Sequence, residues 1–315
     1  MDSSKTYFFT REQDCESNFI KSGPYWHITT PGTSSEILFS STDDFIFAIN
    51  TLALASSLSD CSIIAFALMS NHIHFILSGS KDDCLRLFFE FKKRIKSYMS
   101  KHGRIINWSS FTVDDPIPVI SIDMLRNEVV YVNRNGYVAI NYETPYSYKW
   151  SSGPYYFGGY DYHSSIVRHL TYREKRNIFH TADAEVPSYF RFMGNMVDPC
   201  SFCDFEFGKS IFRDAHQYFN RLSKSFEAYS EIAKRLGDKV FLSDEEIYPA
   251  TVELSRKHFN INNPKLLGGG DKIELAKIMY QNLNATSAQI RRILKLDNKL
   301  IEELQEIIEK CNNII

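Results

Sequence analysis

The chain alternates short apolar runs with longer stretches in which apolar residues return every three or four positions, and the two rhythms mark different elements. Residues 24–31, PYWHITTP, read as a strand closed by Pro31 and Gly32. Ser41 or Thr42 caps a predicted helix reaching about Ser57; Asp43 and Asp44 suit its positive end, and Phe45, Ile49, Leu52 and Leu54 form its apolar side. The runs 62–68 (SIIAFAL) and 72–78 (HIHFILS) predict adjacent strands joined tightly through Met69, Ser70 and Asn71, with Gly79 ending the second. Over 81–101, Leu85, Phe88, Ile95 and Met99 recur at helical spacing until His102 and Gly103 stop them. An irregular stretch over 104–120 holds a short strand near Val119 and Ile120. A compact helix follows from Ser121 to Asn135, released by Gly136.

This order predicts an α+β fold: a ferredoxin-like antiparallel sheet with helices on one face, followed by a helical C-terminal region. Three domains are expected, 1–160, 161–240 and 241–315. The middle one is rich in Tyr, Phe and Arg, shows no repeat, and reads as a helical connector. In the last, the capping box Ser243-x-x-Glu246 opens a helix to residue 259. After a break at Asn263-Pro264 and Gly268–Gly270, helices follow over 271–281 and 287–296. Arg291, Arg292 and Lys295 make the last one basic, which suits a helix-turn-helix DNA reader and also fits an ordinary helical bundle. Leu300, Ile301, Leu304, Ile307 and Ile308 form an amphipathic tail.

Composition narrows the class. Of 315 residues 43% are hydrophobic and 23% charged, with 14 Gly and 10 Pro, which excludes collagenous and wholly disordered chains. No run approaches the length of a membrane span and the amino terminus is polar, so a cytoplasmic protein with no membrane partner is expected. The six scattered cysteines then read as reduced thiols. A net charge of −2 gives no global pull on nucleic acid. Locally, however, Lys92, Lys93, Arg94, Lys96, Lys101 and Arg104 follow one another with no acid between them. Such a run is either a grip for a phosphate backbone or a solvated helix face.

The chemistry concentrates in ALMSNHIHFIL. On a strand His72 and His74 emerge on the same side, where two imidazoles either hold a divalent metal or simply make a polar face. A third ligand has to come from a helix crossing that face. On the helix over 121–135, Met124, Glu128, Tyr131 and Asn135 share one ridge beside the apolar stripe Leu125, Val129 and Val132. An amide oxygen from Asn135 can complete a metal site, with the Tyr131 phenol one turn away.

Four ordered anchors carry a family resemblance: Tyr25-Trp26-His27-Ile28-Thr29, FALMSNHIHFIL, Tyr131-x-x-x-Asn135, and Tyr148-Lys149-Trp150-Ser151-Ser152. Over about residues 24–157 the chain resembles the REP-associated tyrosine transposases and other HUH-type single-strand DNA transposases. The resemblance implies an HUH-type fold, a Mg²⁺ or Mn²⁺ ion on His72, His74 and Asn135, and Tyr131 as nucleophile. It also implies metal-dependent cleavage and rejoining of single-stranded or hairpin DNA through a 5′-phosphotyrosine link. A homodimer is among the implied states, since small relatives exchange helices between subunits. Lys92, Lys93, Arg94, Lys96, Arg291 and Arg292 are the expected DNA contacts. Two other readings stay open: a domesticated, non-cleaving DNA-binding regulator of the same fold, and a metal-dependent phosphodiesterase in which water attacks and Tyr131 only packs. Cys200-x-x-Cys203 reads as paired thiols, and Leu267-Gly-Gly-Gly270 as a hinge.

Overall fold

The computed structural model describes residues 11–31, 37–109, 111–113, 115–140, 148–157, 170–180, 186–224, 244–283, 285–297 and 300–304. The chain divides into two compact units, Met1–Asp238 and Lys239–Ile315.

The first unit is α+β. Strands β1 (Tyr25–Thr29), β2 (Ser62–Leu68), β3 (Ile73–Ser78) and β4 (Ile117–Val119) make one antiparallel sheet in the order β2-β3-β1-β4. Register places Thr29 and Ala67 on either side of His74, and Ile28 and Phe66 on either side of Phe75. The β2–β3 connection turns on Ser70 and Asn71 and is closed by Met69 N–H donating to the His72 carbonyl at 2.9 Å. The second strand therefore starts one residue later than predicted, leaving His72 at the rim of the turn. Gly79 ends it at φ +145°, where a Cβ would stand 2.8 Å from that of Cys61.

Helices α1 (Glu12–Ser22), α2 (Thr42–Ser57), α3 (Lys81–Lys101) and α4 (Ile122–Ile140) surround the sheet. Ser41 caps α2 as expected, in a reciprocal box with Asp44. The helices lie on both faces, not on one. Neighbours on a strand point to opposite sides, and Phe75 meets Phe91 of α3 edge-on at 5.4 Å while His74 meets Asn135 of α4. Burial explains the correction: Ile63–Leu68 and Ile73–Leu77 are all fully buried, so each face of β2 and β3 needs a covering layer. Helix α4 also runs beyond its predicted stop, because a helical glycine costs only about 1 kcal/mol and Gly136 does not break it.

Residues 148–157 dock along the outer edge of β2. Leu68 N–H donates to the Trp150 carbonyl at 3.0 Å, Ser152 N–H to that of Phe66 at 2.8 Å, and Tyr148 Oη to that of Leu68 at 2.6 Å. The stretch read as a helical connector carries α5 (Tyr172–Phe179), α6 (Phe205–Ser210) and α7 (Ala215–Lys224). It also carries a hairpin of β5 (Phe192–Met193) and β6 (Met196–Val197). Phe179, Phe190, Phe192 and Val197 share an apolar cluster with Ala53 and Leu54 of α2. On α4, the Asn127 amide oxygen accepts from Arg221 of α7 at 2.7 Å.

Among its described residues the second unit carries α8 (Asp244–Phe259), α9 (Gly269–Leu283) and α10 (Ser287–Leu294) around Ile247, Leu275, Ala276, Met279, Ile290 and Leu294. Thr286 and Gln289 form the capping box of α10, on which Arg291 and Arg292 are exposed, as is Lys295 just beyond it. Helix α9 takes Gly269 and Gly270 into its first turn, so the glycine run lies partly inside a helix. Ser243, Ile307 and Ile308 lie outside the described residues. No helix among the described residues is long and apolar enough to cross a membrane.

Candidate active site

One face of the sheet carries His27 from β1 and His74 from β3, and α4 lays its ridge of Glu128, Tyr131 and Asn135 over them. Strand alternation puts Tyr25, His27 and Thr29 on this side, while Leu125, Val129 and Val132 of α4 are buried beside the ridge. The sequence-predicted grouping of His74, Tyr131 and Asn135 is therefore present. Asn135 Nδ2 donates to His74 Nε2 at 2.8 Å. The Tyr131 ring stands 5.5 Å from that of His74 and 6.2 Å from that of His27, both edge-on.

His72 enters from the turn. Its ring meets that of His74 edge-on at 5.0 Å, and its Nδ1 lies 2.8 Å from Asn71 Oδ1, which leaves Nε2 on the other side of the ring. Burial pushes the His72 imidazole down to about 4. Burial, then the neighbouring His72 and His27, holds His74 far below the ordinary histidine value. Both rings are neutral at pH 7 and keep lone pairs for a cation.

His27 is the residue that sequence reasoning missed. It is fully buried, with Nε2 3.1 Å from His74 Nδ1 and Nδ1 2.8 Å from the equally buried Glu128 Oε2. Alternation within β1 groups His27 with Tyr25 and Thr29, but only the β1–β3 register, Thr29 opposite His74, puts it on the face of the paired imidazoles. Among the described residues no three His, Cys, Asp or Glu side chains converge as a metal-ligating group. His74, His27 and Glu128 instead run in a line, each bonded to the next. The His72 ring and the Asn135 amide adjoin His74, and two imidazoles with an amide would suit a divalent ion with some tolerance for nitrogen if the amide turned its oxygen toward it. Tyr131 is only 1% exposed, and Asn135 5%.

The basic cluster is placed elsewhere. It lies on and just after α3, which covers the opposite face of the sheet. Five of its members have partners: Lys92 Nζ donates to the Trp108 carbonyl at 3.3 Å, Lys93 and Arg94 pair with Glu90 at 3.6 and 2.7 Å, Lys101 Nζ donates to the His180 carbonyl at 3.4 Å, and Arg104 pairs with Asp44 at 2.9 Å. Lys93 and Lys96 point to solvent. Lys93, Arg94 and Lys101 join Arg176 of α5 around a cleft of about 890 Å³ floored by Tyr98 and Phe47. Cys200 and Cys203 are free thiols, Cys203 packed against β2 by a bridge to Ile63.

Compared with protein-family models, with curated protein sequences and with solved structures, the chain finds no match in any of the three.

Proposed function

We propose that the protein is an HUH-type single-strand DNA transposase, a metal-dependent endonuclease and strand transferase that uses Tyr131 as nucleophile. The observation that carries this reading is the placement of Tyr131 beside both His27 and His74 with Asn135 bonded to His74: a phenol, two imidazoles and an amide from three separate elements on one buried face. The path β1-α2-β2-β3-α3-β4 with order β2-β3-β1-β4 supports a ferredoxin-like, HUH-type sheet.

His72, His74 and Asn135 would hold Mn²⁺ or Mg²⁺, with the imidazoles favouring Mn²⁺. A bound ion supplies Lewis-acid polarisation of a phosphate oxygen and orients the scissile bond. Tyr131 Oη attacks phosphorus, its proton leaves to a base, and the 3′ oxygen departs as a hydroxyl, leaving a 5′-phosphotyrosine link. Bond energy is conserved, so rejoining to another end needs no nucleotide cofactor. Lys93 and Lys96 provide backbone contacts to the strand on the other face of the sheet, and Arg291 and Arg292 on α10 provide a second DNA contact.

Burial of the phenol favours one rival, a DNA-binding regulator that never cleaves. Wild type and Tyr131→Phe incubated with labelled hairpin-bearing single strands in Mn²⁺ or EDTA, then denatured and resolved on a gel, separate the readings. A Mn²⁺-dependent shifted band from wild type alone is expected. Cutting without an adduct, equal in both proteins, means water attack, and binding without any cutting means a regulator.

A further inference from the structure

The hydrogen bonds around His74 have a direction, and it can be read from either end. At one end the Asn135 amide nitrogen is a donor, so His74 Nε2 must accept. A neutral imidazole with an accepting Nε2 carries its proton on Nδ1, and that proton points at His27 Nε2, 3.1 Å away. His27 Nε2 then accepts, so His27 carries its own proton on Nδ1, aimed at Glu128 Oε2 at 2.8 Å. At the other end a carboxylate only accepts, which demands the same Nδ1 proton on His27. The opposite polarity, with His27 Nε2 donating, would leave both nitrogens of His74 as acceptors, which no neutral imidazole can be. All three side chains are fully buried, so water does not compete for these bonds.

We propose that Glu128 and His27 are positioning residues that fix the tautomer of His74 through two consecutive hydrogen bonds, so that its Nε2 always presents a lone pair to a divalent cation. This rests on the metal site of the proposed function and adds how that site is prepared. Metal-bound histidines generally donate their second ring nitrogen to a carboxylate or carbonyl. Here the carboxylate is one imidazole further away: Glu128 of α4 bonds His27 of β1, and His27 carries the link on to His74 of β3.

The test is nitrogen-15 NMR of histidine-labelled protein without metal, joined to calorimetric titration with Mn²⁺. In the wild type both His74 and His27 are expected as Nδ1–H tautomers, and an Nε2–H form of His74 overturns the proposal without any variant. His27→Phe removes the acceptor and is expected to mix the His74 tautomers and weaken Mn²⁺ binding by about 10- to 100-fold. His27→Gln places an amide oxygen near the lost Nε2 and is expected to recover most of that loss. Unchanged Mn²⁺ affinity in a folded His27→Phe protein, or no recovery in His27→Gln, counts against the relay. Should the wild type bind no Mn²⁺ yet show the Nδ1–H pair, the cleavage reading falls and the relay is reduced to a structural chain, which refutes its stated role. Should Mn²⁺ bind and the DNA adduct never form, the relay stands while the transposase reading goes.

Discussion

Asn135 reaches from α4 to within 2.8 Å of His74 Nε2 and gives that nitrogen a hydrogen on the side where a cation would sit. The amide stabilises this ring as it stands; under the transposase reading it would have to rotate and offer its oxygen to an ion.

Asn135→Asp separates these two duties. A carboxylate cannot donate to His74 Nε2, and two buried acceptors then face each other at a cost of about 1–3 kcal/mol. The same carboxylate is the stronger ligand for Mn²⁺. Thermal melts are expected to show a lower Tm than wild type in EDTA and a larger rise on adding Mn²⁺. Equal Mn²⁺-induced shifts in the two proteins would remove Asn135 from the ligand set.

Much of this site was visible in the sequence because helical spacing is local. Glu128, Tyr131 and Asn135 fall on one ridge by periodicity alone, and Ser41 announced α2 through its cap. His27 was not visible, since a single histidine on a strand acquires meaning only from register. That register puts it diagonal to His74, opposite Ile76, a pairing made 47 residues apart in the chain. The basic run misled for a similar reason. Arg104 looks available until Asp44, 60 residues away, takes its guanidinium. The order of elements suggests a single covering layer, whereas runs as apolar as those of β2 and β3 call for helices on both faces.

Asp44 offers a pH test of the α2 cap. Burial alone would raise its carboxyl. The backbone N–H and hydroxyl of Ser40, the Arg104 guanidinium and the Ser41 N–H outweigh that and hold it below its ordinary value. The folded state thus favours the ionised form, so the contribution is present above the unfolded value of about 3.9 and fades as pH falls through the lower folded value. Asp44→Asn is expected to lose about 1–2 kcal/mol at pH 7. Denaturant titrations at pH 7 and near pH 3 should show the gap between the two proteins closing on acidification; a constant gap would mean that charge plays no part.

A buried polar network fixes where α4 lies. Ser152 donates to Asn133 Oδ1 and accepts from Phe66 N–H at 3.0 Å, and Asn133 Nδ2 donates to Tyr218 Oη at 3.0 Å. Through Asn133 the ridge is tied at once to the β2 edge segment and to α7. Asn133→Ala leaves the buried Tyr218 Oη without its donor, while the Ser152 hydroxyl falls back on the Phe66 carbonyl at 3.2 Å, at a cost of about 1–3 kcal/mol. Urea unfolding measures this, and Tyr218→Phe in the same background is expected to cost less than it does alone. Additive losses would show that the network is not coupled.

Because α3 and α4 cover opposite faces, gripping DNA and cutting it are separable under the transposase reading. Lys93 and Lys96 are solvent-facing and distant from His74 in the layer order, so Lys93→Ala with Lys96→Ala is expected to weaken single-strand binding and to reduce the slope of log affinity against log salt by about 1–2. The rate of adduct formation at saturating DNA should stay near the wild-type value. The same pair of measurements on Tyr131→Phe should give the reverse pattern, with affinity and salt slope retained and no adduct. If the lysine pair instead slows the saturated reaction while leaving the salt slope alone, the basic face of α3 is not where the strand's backbone lies.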